Sequence, residues 1–68
     1  MTPKHRAVLD AISAVTAGMF LGSIKSRLRS PIPDADLGVI LRDLEQARLV
    51  KRIGERAPYM FQRVWKIP

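Results

Sequence analysis

The sequence predicts an α+β fold in which three helices are followed by a C-terminal two-stranded hairpin. Three observations predict it. Apolar residues recur at three- and four-residue steps in three separate stretches before Ala47, which is the period of a helix with one buried face. Beyond Ala47 the period changes, and branched and aromatic residues alternate as they do in strands. Glycine and proline punctuate the stretches, at Gly18, at Pro31 and Pro33, and at Gly54 and Pro58.

The first helix opens at Thr2-Pro3, a hydroxyl N-cap followed by a proline whose fixed φ suits the first helical position. Val8, Leu9, Ile12 and Val15 follow at helical spacing, so the helix should run from about Pro3 to about Ala14. Thr16-Ala17-Gly18 breaks it, and Met19 or Phe20 can pair next as a stub strand. Phe20, Leu21, Ile24 and Leu28 then mark a second helix of about ten residues. Lys25, Arg27 and Arg29 occupy its other faces. The turn Ser30-Pro31-Ile32-Pro33 excludes regular helix.

Asp34 opens the third helix, where its carboxylate can cap free backbone N–H groups and meet the positive end of the helix dipole. Leu37, Ile40, Leu41 and Leu44 form the apolar stripe of that helix, which reaches about Ala47. Leu49 to Ile53 reads as the first hairpin strand, and Gly54 to Pro58 as the connection. Tyr59 to Ile67 reads as the second strand, with Tyr59, Phe61, Trp65 and Ile67 on one face. Arg63 interrupts that face and implies a bulge or an exposed stretch. Two strands alone are marginal in water, so the hairpin must pack on the helices. The expected core is Leu9, Ile12, Ile24, Leu28, Leu37, Leu41, Leu44 and Trp65. This order of elements is that of a winged helix-turn-helix.

Sixty-eight residues make a single domain with a thin core. The chain has no cysteine, so it can form neither a disulfide nor a thiolate metal site. Its one histidine, His5, lies in the first turn of helix 1 and is expected at the surface. It cannot build a metal centre alone. None of Ser13, Ser23, Ser26 or Ser30 has a base partner in the pattern. The expectation is a non-enzyme with no cofactor and no metal. No apolar run is long enough to span a membrane, and the N-terminus lacks the apolar centre of a signal peptide, so a cytosolic protein is expected.

The formal net charge is +6, and it is unevenly spread. Residues 1–30 hold five cations against Asp10, residues 31–47 hold Arg42 against four acids, and residues 48–68 hold six cations against Glu55. A polyanionic partner suits the two ends. In a winged helix the third helix enters the major groove, where each base pair shows a unique donor and acceptor pattern. The stripe opposite its leucines is Asp34, Ala35, Gly38, Val39, Arg42 and Gln46. Arg42 can fork onto a guanine, and Val39 and Ala35 can touch thymine methyls. Gly38 lets the backbone approach, and Gln46 can reach an adenine or a phosphate. Lys25, Arg27 and Arg29, with Lys51, Arg52, Arg56, Arg63 and Lys66 on the hairpin, are expected to track phosphates on either side. The wing charges can equally protect an exposed sheet edge.

TPKHRAVLDAI resembles the first helix of winged-helix regulators of the multiple-antibiotic-resistance and arsenic-repressor type. SIKSRLRSPIPDADLGVILRDLEQARLVKRI resembles their helix-turn-helix and first wing strand, with Leu41, Leu44, Leu49 and Val50 at matching positions. Arg48 stands where that family usually has glycine in the left-handed conformation, so this helix end is expected to differ. The resemblance implies duplex-DNA binding. Pro58 and Val64-Trp65-Lys66-Ile67 are also similar to the wing of Z-DNA-binding domains. The matching helix positions are Gly38, Val39 and Arg42, without that family's asparagine and tyrosine, so its specificity is not carried over.

Three functions follow as alternatives. The first is a small transcriptional regulator of the kind found in phages and plasmids, reading double-stranded DNA as a monomer or weak homodimer. The second is a protein-interaction module or inhibitor, suggested by the acidic and partly apolar stripe of helix 3. The third is an RNA- or single-strand-binding module using Tyr59, Phe61 and Trp65 as stacking platforms.

Overall fold

The computed structural model describes residues 2–65, so the expectations for Lys66 and Ile67 lie outside the described residues. Helix α1 spans Pro3–Ser13. Thr2 caps it as its hydroxyl predicts, accepting a hydrogen bond from the His5 amide at 3.2 Å. Val8, Leu9 and Ile12 are its buried residues. The chain then turns through Gly18, whose φ of +103° a side chain would strain. A Cβ there would also sit 3.4 Å from the Phe61 carbonyl oxygen.

Met19–Phe20 form strand β1, so the stub strand exists and the sheet has three strands rather than two. Helix α2 follows at once, Leu21–Arg27, seven residues long. It is shorter than its apolar period implies for a physical reason at each end. Phe20 is taken up by pairing with Met60, and Leu28 has extended backbone.

Helix α3 spans Asp34–Gln46 and buries Leu37, Ile40, Leu41 and Leu44. Its N-cap is Pro33, and no side chain caps it. The capping role expected of Asp34 is therefore corrected: its carboxylate meets Lys25 Nζ at 2.6 Å instead. The far end of α3 also departs from expectation. The amide of Leu49 donates to the Leu44 carbonyl at 3.0 Å and that of Arg48 to Glu45 at 2.9 Å. This pair of bonds is the Schellman ending that glycine usually permits, and Arg48 adopts it at φ +61°.

Strands β2 (Val50–Ile53) and β3 (Met60–Arg63) pair antiparallel, and β1 pairs with the other side of β3, giving the order β1-β3-β2. The register sets Met19 and Arg52 either side of Phe61, and Val50 opposite Arg63. Directly opposed residues share a face, so these side chains lie on the face that puts Met19 and Val50 into the core. Phe20, Met60 and Ile53 form a row on the other face.

The core joins Val8, Leu9, Ile12, Met19, Ile24, Ile32, Leu37, Ile40, Leu41, Leu44 and Val50. Leu28 and Phe61 pack against it half-buried. Trp65 does not: it is 58% exposed, which corrects its place in the expected core. β3 ends at Arg63, two residues short of Trp65, so the alternation that pointed the indole inward has stopped.

Arg48 gives a testable consequence. A non-glycine residue in the left-handed region costs about 1–2 kcal/mol, while glycine gives up about 0.5–1 kcal/mol of unfolded-chain entropy. Arg48→Gly should therefore stabilise the domain by up to about 1.5 kcal/mol. Urea denaturation of the two proteins checks it, and a less stable variant would mean that the arginine stem contributes more than the backbone loses.

Candidate nucleic-acid interface

The leucine stripe of α3 fixes what its opposite side presents. With Leu37, Ile40, Leu41 and Leu44 turned into the core, Asp34, Ala35, Gly38, Val39, Arg42 and Gln46 are all exposed. The middle of this stripe is low and apolar. A Cβ at Gly38 would meet nothing within 4 Å, and Val39 is 49% exposed.

Arg42 has no ion-pair partner among the described residues. The adjacent Asp43 is engaged elsewhere, accepting from His5 Nε2 at 2.9 Å. His5 Nδ1 also meets the Thr2 hydroxyl. His5 is thus a partly buried tie between α1 and α3 rather than the surface residue its position suggested. These partners stand 38 positions apart, and nothing local in the sequence signals the contact.

The acids at the start of α3 each meet a cation. Asp34 binds Lys25 of α2, and Asp36 lies 4.0 Å from Lys4 of α1. Lys25 is therefore held against the N-terminus of α3. Arg27 and Arg29 are exposed and line a groove against α1 with Lys4 and Ala7.

The hairpin cations separate according to face. Arg52 is on the inner face at the sheet's edge, its Nε 3.4 Å from Glu45 of α3 and its guanidinium 4.7 Å from the Tyr59 ring centre. Glu45 is a site residue that sequence reasoning missed, because a helix end and a strand must meet before it can pair. Arg63 is also on the inner face, half-buried. It lies over Trp65 at 4.9 Å and lines a cleft with Leu9, Ser13 and Leu49. Its Nε and Nη1 are out of solvent with no hydrogen-bond partner among the described residues. Arg63 is consequently separated from the outward cations. Lys51 and Arg56 remain exposed and without ion pairs among the described residues, on β2 and in the β2–β3 loop respectively. That loop starts at Gly54, φ +114°.

The geometry brings together α3's exposed stripe, Lys25 at its start and Arg52 beside its end. Among the described residues no three His, Asp or Glu side chains are grouped to hold a metal ion, and no helix is long and apolar enough to cross a membrane. No protein-family model matches the chain, and neither a curated protein nor a solved structure shows significant similarity to it.

Proposed function

We propose that this domain is a winged helix-turn-helix that binds duplex DNA, with α3 in the major groove and the β2–β3 loop on the flanking backbone, and that it serves as a small regulator. The observation that carries this reading is Arg42. It is an exposed cation in the middle of a helix face lined by Ala35, Gly38 and Val39, and it forms no ion pair among the described residues. A fork of donors over a low surface is what close approach to a base edge requires. The order α1-β1-α2-α3-β2-β3, with β1 added to the hairpin, supports the winged-helix arrangement. The basic loop and the net charge of +6 support an anionic partner.

The second reading, a protein docked on α3, is favoured by exposed Val39 beside Asp34 and Asp36. Phosphate-driven binding is salt-dependent, so titration of a random duplex at two salt concentrations, followed by amide shifts, separates the two. DNA binding predicts shifts along α3 and residues 54–59 that weaken strongly with salt. No shifts at low salt would transfer α3 to a protein partner.

The wing supplies a graded version of the same test. Arg56→Ala should reduce the salt-dependence slope by about one unit, as one lost phosphate contact does. Arg52→Ala should reduce it less, because Glu45 already neutralises that guanidinium. An unchanged slope for Arg56→Ala would remove the loop tip from the interface.

A further inference from the structure

The cations Arg27 and Arg29 line a surface groove that contains no residue of α3. It has a volume of about 620 Å³ and lies between α1 and the segment that joins α2 to α3. Its existence follows from the sequence of α1. Ala7 and Ala11 lie one turn apart on the same side of the helix, and alanine leaves space that a larger apolar residue would fill. Leu28 and Pro31 form the facing wall, and buried Ile32 packs below them. Lys4 stands at the α1 end. The one acid lining the groove, Asp10, is paired with Arg6 at 3.5 Å. No residue of α3 or of the sheet lines it.

We infer that this groove docks an acidic amphipathic segment of a protein partner, with an apolar side chain on Ala7, Ala11 and Leu28 and carboxylates reaching Arg27 and Arg29. Two features select this occupant over nucleic acid. The floor is apolar, and a phosphate backbone has nothing to bury there. The surface is also concave, and the convex body of a duplex matches it less well than a short peptide segment does. The charge is complementary, because Arg27 and Arg29 line the groove and form no ion pair among the described residues. Because the groove uses neither α3 nor the hairpin, occupancy leaves the proposed DNA face free. The domain could then hold a partner and a duplex at once. The inference stands whether or not α3 binds DNA.

The test is an amide-shift titration of the whole protein with three probes: a peptide of about 12 residues built from Glu-Leu-Leu-Glu repeats, its lysine-for-glutamate counterpart, and a random duplex. The acidic peptide should shift residues 4–11 and 27–32 and leave 35–46 unmoved. The lysine peptide should shift none of them. Arg27→Glu with Arg29→Glu should weaken peptide binding at least about tenfold, since opposed like charges repel. Ala7→Gln should weaken it as well by filling the floor, with melting unchanged because the site is exposed and glutamine is a good helix former. If the duplex shifts residues 27–32 and the acidic peptide does not, Arg27 and Arg29 are phosphate contacts and the inference fails. It also fails if neither probe moves them, or if the charge reversal leaves peptide affinity intact.

Discussion

Leu41→Ala should destabilise the domain by about 2–5 kcal/mol, the range for deleting a buried leucine side chain and leaving its cavity. Leu41 is 3% exposed and belongs to the single cluster that joins α1, α2, α3 and the sheet. Total stability for a chain of this length is only about 3–10 kcal/mol, so this one change should unfold a measurable fraction of the molecules at room temperature. Trp65→Ala is the informative partner experiment. The indole is much larger than leucine, yet it is 58% exposed and stacks with Arg63 at the rim of a shallow cleft. Its loss should cost under about 1 kcal/mol. Urea denaturation of both variants decides the matter. A wild-type-like midpoint for Leu41→Ala, or a larger loss for Trp65→Ala than for Leu41→Ala, would contradict the core described above.

That contrast marks where sequence and structure part. The leucines of α3 were readable because a helix 13 residues long repeats its signal through several turns. Thr2-Pro3 fixed the start of α1 through local chemistry alone. Trp65 was not readable, because alternation identifies a face only while a strand continues. β3 stops at Arg63, and no residue near Trp65 announces that stop. The end of α3 was misread for a different reason. Arg48 lacks glycine's freedom, yet the Schellman turn is required to bring Leu49 against the core and Val50 into it. Packing outweighs a left-handed penalty of about 1–2 kcal/mol.

In the candidate site, the exposed stripe of α3 followed directly from its buried one. Which cations remain available did not. Lys25 and Arg52 are taken up by Asp34 and Glu45, and Arg63 is drawn onto the inner face. These contacts join different elements across turns or through strand register, and spacing within one element does not encode them. The sequence assigned Arg27 and Arg29 to phosphates flanking α3 because the second helix of a winged helix lies beside the third. The fold also places them along a groove beside α1, which their spacing does not announce.

Arg42→Ala should cost about 1–3 kcal/mol on a duplex selected from a random pool by the native protein, the value of one forked arginine–guanine contact. On the proposed DNA-binding reading, the same change should cost much less on unselected duplex, where phosphate contacts elsewhere would supply the affinity. The ratio of the two losses is the measurement, and it does not require the target sequence in advance. Arg42 suits this test because it is exposed and forms no ion pair among the described residues, so its removal leaves no buried charge and should not perturb folding. Gly38 supplies the complementary probe. A methyl added there meets nothing within 4 Å of the protein, and alanine favours helix over glycine by about 1 kcal/mol, so Gly38→Ala should fold at least as well as the native chain. If α3 lies in the major groove, the added bulk should still reduce affinity for the selected duplex, since the backbone no longer approaches as closely. If α3 instead docks a protein, Arg42→Ala and Gly38→Ala should both leave duplex affinity unchanged. Equal losses on selected and unselected duplex would assign Arg42 to phosphate contact and remove the base-reading role from this helix.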